Sequence, residues 1–338
     1  MAAGPTIRSL ALELGVSPMT VSLALRNSYE VSAATRTRIQ RFAQARGYRP
    51  DPQIVKLMHH LRTRASVRST ANICALRQDW RRGAMAKGNY FDRLCCGLIG
   101  RAESLGYTLS MLSIDDYPAS RQLTRVLVSR GIEGILLLPL REGADLSARL
   151  DWSLFSTVSV TSTVVAPHFH AVTPNHFDNM ILACRRLTES GYRRVGLAMA
   201  TGWDARVNHR WGGGMAWHNQ AAGDTGVVPL LDGKGGLDLD MSALTRWMTK
   251  ERPDAVVLET LDPSVVERAL ASLPAARRPA IVTMNWPNRA ADLGVDQLPE
   301  RIGAVAIELL TAMIVRGEKG IPPLANHTMI DGSWVGRR

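Results

Sequence analysis

The first fifty residues contain three short runs whose apolar positions recur at the spacing of one helix face. Residues that begin or end helices bound each run. Thr6 precedes the first run and Gly15 follows it, while Ser17 precedes the second. Ser32 and Gly47 flank the third run, so the pattern predicts three helices around a small shared core. The side chains predicted to face inward are Ile7, Leu10, Ala11, Leu14, Val21, Ala24, Leu25, Ile39, Phe42 and Ala43.

The tight turn Gly15-Val16 between the first two predicted helices has the spacing of a helix-turn-helix unit. In that unit the N-terminal end of the second helix enters the major groove of DNA, and hydroxyl groups at helix N-termini suit phosphate contacts. The predicted base-facing residues are Pro18, Met19, Ser22 and Leu23. The predicted phosphate and further DNA contacts are Thr6, Ser17, Thr20, Asn27, Ser32 and Thr35. Many unrelated small bundles share a three-helix pattern, so this signal alone is weak.

From Asn72 onward, short β-branched and leucine-rich runs alternate with helical stretches, which is the pattern of parallel α/β units. Two of the helices are predicted at Asp92–Leu105 and Asn179–Ser190. The chain is therefore expected to combine an all-α head with an α/β body. The predicted body strands are 72–77, 108–114, 134–140, 157–164, 194–200, 254–259 and 280–285.

A short segment between head and body begins at Pro50 and Pro52, each of which disfavours helix in the residue before it. The apolar positions that follow at i, i+3, i+4 and i+7 are Ile54, Leu57, Met58 and Leu61. A helix this short is marginal in water on its own. It therefore needs a packing partner, which in the simplest interpretation is the domain that follows.

Positive charge is concentrated in the head and the linker. Residues 1–64 contain ten lysines and arginines against three acids, a net of +7 out of +11 for the whole chain of 338 residues. Neutralising DNA phosphates releases condensed counterions, so a basic module of this kind is expected to bind nucleic acid. The alternative is a basic tail that serves solubility. The charge distribution strengthens the helix-turn-helix interpretation.

Signatures of catalysis, cofactors and metals are missing from the sequence. It has no GxGxxG after the first body strand, no GxxxxGK[ST], no GxSxG and no HExxH. Cys74, Cys95, Cys96 and Cys184 form no CxxC pair and no zinc-type cluster with histidine. We therefore predict no catalytic residue, no cofactor and no metal site, and a protein that is not an enzyme. Without a bilayer-length apolar run or a visible export signal, a cytoplasmic location without membrane contact is expected.

Residues 6–50 resemble the DNA-binding head of the lactose-repressor and galactose-repressor (LacI/GalR) family. The match, in register and without gaps, comprises Ile7, Ala11, Gly15-Val16-Ser17, Thr20-Val21-Ser22, Val31-Ser32, Thr35-Arg36, Gly47-Tyr48 and Pro50. One departure is Leu23, which stands where many members carry Arg. Base readout is therefore expected to use apolar contacts with thymine methyl groups and DNA shape, rather than bidentate hydrogen bonds.

The resemblance also implies roles for the linker and the body. The linker helix would pair with its symmetry mate and DNA, and Leu57 stands where the family has a leucine that wedges into the minor groove. The body resembles, more loosely, a periplasmic-binding-protein-like pair of doubly wound parallel-sheet lobes with a ligand between them. The cleft residues implied by the resemblance are Tyr90, Phe91, Asp178, Arg210 and Asn285. Such residues suit a polar effector, either sugar-like or a small anion.

The predicted domain organisation has three parts. They are a helix-turn-helix DNA-binding domain at 1–49, a hinge helix or linker at 50–64, and an effector-binding and dimerisation domain at 65–338. The last part divides into one lobe of about 71–174 plus 287–324 and another of about 175–286 plus 325–338.

Together these observations predict a sequence-specific DNA-binding transcriptional regulator, and a repressor as the commoner outcome in the family. A homodimer, with a tetramer left open, is expected to bind a pseudopalindromic operator in double-stranded DNA. A small polar effector, a sugar or related metabolite, is expected to control it from the interlobe cleft. The alternative is a solute-binding protein of the same lobe fold without a gene-regulatory role. That alternative accounts for residues 72–338 but requires an export signal and has no use for the basic head.

Overall fold

The computed structural model of this chain describes residues 5–25, 31–48, 71–78, 88–140, 144–160, 162–222, 231–233, 239–259, 263–286, 291 and 293–336. Two features singled out in the sequence lie outside the described residues: Asn27, and the linker 50–64 together with its Leu57. Their roles therefore remain predictions.

The head consists of three capped helices, α1 (Ile7–Leu14), α2 (Pro18–Leu25) and α3 (Ala33–Ala45). The Thr6 hydroxyl accepts a hydrogen bond from the Ser9 backbone N–H (3.1 Å), and the Ser9 hydroxyl accepts one from the Thr6 N–H (2.8 Å). This reciprocal cap satisfies donors at the start of α1 that have no partner within the helix. Gly15 ends α1 with a φ of 65°, in the left-handed region that favours glycine. The predicted succession of three helices is confirmed.

The three helices bury a small core of their own. Leu10, Val21 and Ile39, one from each helix, are fully buried. All ten side chains predicted to face inward belong to this cluster or pack directly against it. The head thus has a hydrophobic core separate from those of the body. The remaining buried members are Ala11, Ala24, Val31 and Ala43.

The first lobe of the body is a parallel sheet covered by helices. Its strands are β1 (Ala71–Arg77), β2 (Tyr107–Ser113), β3 (Ile132–Leu137), β5 (Ser156–Ser159), β7 (His170–Pro174) and β13 (His327–Ile330). Their spatial order is β13-β7-β5-β3-β1-β2, and every neighbouring pair is parallel. A separate two-stranded sheet pairs β4 (Ala144–Asp145) with β6 (Val164–Ala166). The helical elements are α4 (Tyr90–Ser104), α5 (Ser120–Ser129), a 3₁₀ turn at Trp152–Leu154 and, after the return from the second lobe, α11 (Pro299–Arg316).

The second lobe repeats this architecture. Its strands are β8 (Val195–Ala200), β9 (Leu231–Gly233), β10 (Ala255–Glu259), β11 (Ala280–Thr283), β12 (Leu293–Asp296) and β14 (Ser333–Val335), in the order β14-β12-β11-β10-β8-β9. The edge strand β14 is antiparallel to β12, and the others are parallel. Its helical elements are α6 (His176–Glu189), α7 (Thr201–Arg206), α8 (Arg210–Ala222), α9 (Met241–Glu251), α10 (Pro263–Ala271) and a 3₁₀ turn at Ala275–Arg277.

Three described segments join the lobes, at 174–176, 296–299 and 330–333. The predicted second and third boundaries, at 287 and 325, are too early. β12 pairs with β11 and β14 in the second sheet, so the chain returns to the first lobe only at α11 (Pro299–Arg316). β13 pairs with β7 in the first sheet, so the final crossing follows Ile330. Pairing between strands that are distant in sequence sets both boundaries.

Each predicted body strand coincides with an observed strand, but 157–164 is divided between β5 and β6, which belong to different sheets. The apolar pattern does not reveal β7, β12 and β13. These strands have four or five residues, with proline in β7 and glycine in β12, and β13 is largely exposed. Strands of this kind depend on their sheet neighbours rather than on their own composition.

The helices α4 and α11 pack closely in the first lobe because glycines lie where they cross. A Cβ atom on Gly97 would lie 2.1 Å from the Glu300 carbonyl oxygen, and one on Gly303 would lie 2.6 Å from the Leu94 carbonyl oxygen. This contact places the start of α4, which carries two predicted effector residues, beside the return crossing from the second lobe.

Candidate DNA interface and interlobe site

The predicted DNA-contact hydroxyls of the head lie at the N-termini of its helices. The Ser17 hydroxyl accepts from the Thr20 backbone N–H (3.0 Å) and lies 2.8 Å from the Thr20 hydroxyl at the start of α2. Ser32 and Thr35 repeat this arrangement at the start of α3, with the Ser32 hydroxyl donating to the Thr35 hydroxyl (2.9 Å). Helix N-termini carry partial positive charge and unpaired N–H groups, so these are suitable places for phosphate oxygens.

The predicted base-facing surface of α2 is mainly apolar. Pro18 is exposed and Met19 is 63% exposed, which makes Met19 the large apolar side chain most available to a base edge. Leu23 is half-buried and packs against the head core, so it presents only part of its surface. Ser22 is half-buried on the same helix. The sequence pattern missed Gln40, whose amide donates to the Ala24 carbonyl oxygen (2.9 Å) and holds the end of α2 against α3.

Part of the positive charge of the head serves its own structure. The Arg46 guanidinium pairs with Glu13 and lies over the Phe42 ring, 5.2 Å from its centroid. These contacts tie the end of α3 to α1. Arg8, Arg38 and Arg41 are exposed and remain candidates for contacts with phosphate.

Two predicted effector residues, Tyr90 and Phe91, open α4 in the first lobe. The side chain of Asn89 caps this helix by accepting from the Asp92 backbone N–H (2.9 Å). Tyr90 and Phe91 are half-buried and pack against the first-lobe core, and burial raises the pKa of the Tyr90 phenol. Both rings are therefore held in place before any ligand is considered.

Asp178 lies in the first turn of α6 and is exposed. Its carboxylate accepts a hydrogen bond from the Asn175 amide (2.6 Å), which also donates to Asp331 (2.8 Å). Asn179 accepts from the Gly332 backbone N–H (2.8 Å). Asp178 is thus part of a polar network that joins two of the interlobe crossings.

Arg210 opens α8 and is half-buried. Its Nη1 atom is buried and has no hydrogen-bond partner among the described residues. The neighbouring His176 is buried, and its ring packs edge-on against Trp211 with centroids 5.1 Å apart. Burial and the Arg210 charge lower the pKa of His176 to about 3, so this histidine is neutral at physiological pH. Trp211 belongs to the second-lobe core.

Asn285 follows β11 and has polar partners within the protein. Its side-chain oxygen accepts from the Gln297 amide (2.7 Å), and its backbone N–H donates to the Thr283 hydroxyl (3.1 Å). Gln297 is buried at the return crossing and also donates to the Met284 carbonyl oxygen. Asn285 is therefore positioned by the crossing segment.

Two arginines that the sequence pattern did not single out bridge the lobes. Arg206 donates to the carbonyl oxygen of Leu140, which follows the first-lobe strand β3, and burial lowers the pKa of Arg206 to about 10. Arg93 of α4 donates to Asp296 of β12 (3.0 and 2.9 Å). Arginine occurs throughout the chain, so only the folded structure distinguishes these two from the rest.

The described ranges contain neither a metal site nor a membrane-spanning helix. No three His, Cys, Asp or Glu side chains come together there as a metal site would require. No helix of those ranges is both long and apolar enough to cross a bilayer.

The fold and its sites define a class of protein in which a helix-turn-helix head is joined to a periplasmic-binding-protein-like body, and this body consists of two lobes built on mostly parallel sheets. Residues 6–51 match the family model described as "Bacterial regulatory proteins, lacI family". The head is therefore similar to those of bacterial regulatory proteins of the lacI family.

The similarity to known regulators extends beyond the head, at low identity. The chain is 28% identical over 198 residues to the HTH-type transcriptional repressor CytR of Escherichia coli (strain K12), with 56% of this chain and 52% of that protein covered. It thus spans about half the length of the curated relatives it matches. A transcriptional regulator CelR-cellobiose complex superposes with a TM-score of 0.61, 19% identity and 98% coverage of both chains.

The lac repressor dimer bound to operator and the anti-inducer ONPF superposes with a TM-score of 0.56 and 15% identity, covering 99% of this chain and 98% of that chain. At these identities the two structural matches establish the fold alone. They extend over the head and both lobes, which confirms the predicted fold class.

Proposed function

We propose that this chain is a transcriptional repressor that binds a pseudopalindromic operator in double-stranded DNA as a homodimer. A small polar effector held between the lobes controls it. The observation that carries the proposal is the lacI-family head, with its own core and a hydroxyl-lined recognition helix, preceding a two-lobed body.

The head supports DNA binding through both charge and geometry. Ser17 and Thr20 place two hydroxyls at the N-terminus of α2, where phosphate oxygens are favoured. Exposed Pro18 and Met19 offer apolar contact to thymine methyl groups. The net charge of +7 in residues 1–64 supplies affinity that does not depend on sequence.

The body supports control by a ligand. The described crossings join two lobes. Half-buried aromatic rings lie on one side, and on the other lies Arg210, which has no acceptor among the described residues. The solved structures of similar fold named above include a regulator in complex with cellobiose and a lac repressor dimer bound to operator. A ligand that prefers one arrangement of the lobes would shift the population that binds DNA.

A solute-binding protein of the same lobe fold remains the second candidate. It would account for the body, but it gives no role to the helix-turn-helix head or to its charge. The match of residues 6–51 to a family of regulatory proteins therefore favours the repressor.

Selection of binding sites from a random duplex library by the full chain tests the proposal, combined with a mass measurement of the complex. We expect an enriched pseudopalindrome bound by two chains. Thr20→Ala should weaken binding to all duplexes because it removes a phosphate-side hydroxyl, whereas Met19→Ala should mainly change the selected sequence. Thr249→Ala, which removes an exposed hydroxyl in α9, is the matched control and should have no effect. Failure to enrich any duplex, or enrichment without symmetry, contradicts the proposal.

A further inference from the structure

The three described crossings lie at one end of each sheet, which we call the hinge end. The first and third crossings leave from β7 and β13, which are neighbours at the end of the first sheet. In the second sheet the crossing strands β12 and β14 are also neighbours at one end. The contact of Arg93 with Asp296 belongs to this end, because Asp296 is the last residue of β12. Opening of the lobes about the crossings would therefore separate the other ends of the sheets most.

The contact between Arg206 and the Leu140 carbonyl oxygen lies away from the hinge end. Leu140 follows β3, and β5 lies between β3 and β7 in the first sheet. Arg206 ends α7, which begins directly after β8, and β10 and β11 lie between β8 and β12. With neighbouring strands ~4.8 Å apart, β3 and β8 are roughly 10 and 14 Å from the hinge strands of their sheets. The contact therefore joins the carboxyl ends of two strands at a place where it opposes opening of the lobes.

The first-lobe side of this contact is held in place by the protein. The Leu140 side chain is buried in a first-lobe hydrophobic cluster. Its backbone N–H donates to the hydroxyl of buried Thr163 (2.9 Å), and the Thr163 carbonyl oxygen accepts from the Ala144 backbone N–H (3.1 Å). The Leu140 carbonyl oxygen is thus fixed to the first lobe and cannot follow the second lobe when the lobes separate.

The second-lobe side of the contact is a charged donor that is also held in place. The Arg206 guanidinium lies over the Trp203 ring, 5.4 Å from its centroid, and Trp203 packs against the second-lobe core. Burial lowers the pKa of Arg206 to about 10, which still leaves the side chain positively charged at physiological pH. A hydrogen bond from a charged donor is stronger than one between neutral groups. The contact is therefore strong enough to affect the arrangement of the lobes.

We propose that Arg206 acts as a latch that holds the two lobes closed when no effector is bound. Its guanidinium and the Leu140 carbonyl oxygen meet directly, so the protein supplies its own contact between the lobes. An effector would then act on an equilibrium between open and closed lobes that Arg206 already shifts towards the closed arrangement. The proposal goes beyond the proposed function, because it concerns a contact within the protein and does not depend on the chemistry of the effector.

The distance between the lobes can be measured by pulsed electron resonance of two spin labels on the full chain. Asp116→Cys and Ser242→Cys provide the labelling sites, since both residues are exposed. Asp116 follows β2 and Ser242 lies in α9 after β9, and these two strands are farthest from the hinge end in their sheets. Cys96→Ser removes the exposed cysteine, whereas the other three cysteines are buried. The labelled chain is dialysed to remove small molecules and mixed with an excess of unlabelled chain, so that distances within one chain dominate.

We expect a single short distance in the protein with Arg206 and a second, longer distance in Arg206→Met. Methionine fills a similar volume over Trp203 but donates no hydrogen bond. The ratio of open to closed molecules should rise roughly ten-fold or more, the effect of losing one hydrogen bond from a charged donor. Arg206→Gln provides a second variant if Arg206→Met does not fold, and it should also populate the longer distance because its shorter side chain does not reach the first lobe.

The matched control is Arg186→Met, which removes one positive charge from an exposed Arg186–Glu189 pair in α6. It should leave the distance distribution unchanged. Two results would overturn the proposal: the same distribution with and without Arg206, or an equal shift in Arg186→Met. Failure of the proposed function is seen separately, in the site selection. A selected operator together with an unchanged lobe distance refutes only the latch, whereas a latch without any selected operator refutes only the repressor.

Discussion

Replacement of Arg93 by methionine tests the contact between the first lobe and strand β12. The guanidinium uses its five N–H donors in five hydrogen bonds. These run to Asp296 (3.0 and 2.9 Å), to Glu300 (2.6 and 2.8 Å) and to the Trp286 carbonyl oxygen (2.9 Å). Methionine fills a similar volume but provides none of them.

The magnitude follows from the burial of the two partners. The side chains of Arg93 and Asp296 are 18% and 16% exposed, so the pair is largely removed from water. Without Arg93, the Asp296 carboxylate keeps the Leu298 backbone N–H (2.9 Å) as its donor. Leaving a buried charge without its partner costs ~3–5 kcal/mol, and the half-exposed Glu300 adds little. We expect the free energy of unfolding to fall by about 3 kcal/mol, which lowers the melting temperature by roughly 6–12 °C for a body of this size.

Differential scanning calorimetry of the full chain measures this effect against a matched arginine on the same helix. Arg101 pairs with Glu308 of α11 at 3.0 Å, but the two side chains are 39% and 38% exposed. Arg101→Met should therefore lower the free energy of unfolding by less than ~1 kcal/mol. Equal losses in Arg93→Met and Arg101→Met would refute the reasoning, because burial would then not decide the strength of the contact.

Three further predictions concern the interlobe histidine, the crossing of α4 with α11, and the linker. Burial and the Arg210 charge lower the pKa of His176 from 6.5 to about 3. As the pH falls, His176 is therefore protonated first in the unfolded chain, and the folded state loses stability between pH 6.5 and pH 3. In urea denaturation, the free energy of unfolding of the wild type should fall by about 2 kcal/mol more between pH 7 and pH 5 than that of His176→Asn. The same dependence on pH in both proteins would contradict this. Gly97→Ala should cost ~1–3 kcal/mol in thermal unfolding because its Cβ would lie 2.1 Å from a backbone oxygen of α11. Gly100→Ala, with open space on the same helix, should be neutral or stabilising, and similar losses in both would contradict the packing argument. Leu57→Ala should spare dimerisation yet reduce the DNA bend in a gel-phasing assay, and an unchanged bend would exclude Leu57 as the wedge.

The head was the most predictable part of the fold because its signals are local. Thr6, Ser17 and Ser32 begin the three helices, and Gly15 ends the first, as the sequence indicates. A cap needs only residues within one helical turn of it, so the sequence near each terminus contains the information. The sequence predicts that Leu23 faces the bases, but it does not reveal that Leu23 also packs against the head core, because this contact depends on how the helices pack.

The effector residues stay predictions, and the resemblance to a family supplied them. Arg210 has a buried nitrogen without a hydrogen-bond partner among the described residues, and its role stays a prediction. Asp178 and Asn285, in contrast, have polar partners within the protein. Arg206 could not be singled out from the sequence, because its contact with a first-lobe carbonyl joins residues 66 positions apart.

The sequence by itself determined the helical head, its charge, the alternation of strands and helices in the body, and the family that the head resembles. Those properties depend on spacing, composition and residues that are close along the chain. The tertiary structure decided where the chain crosses between lobes, because β12 and β13 are defined by the strands they pair with. It also decided which arginines lose contact with water. Burial is the sum of contributions from many distant segments, and the energetic role of a charge depends on burial more than on its position in the sequence.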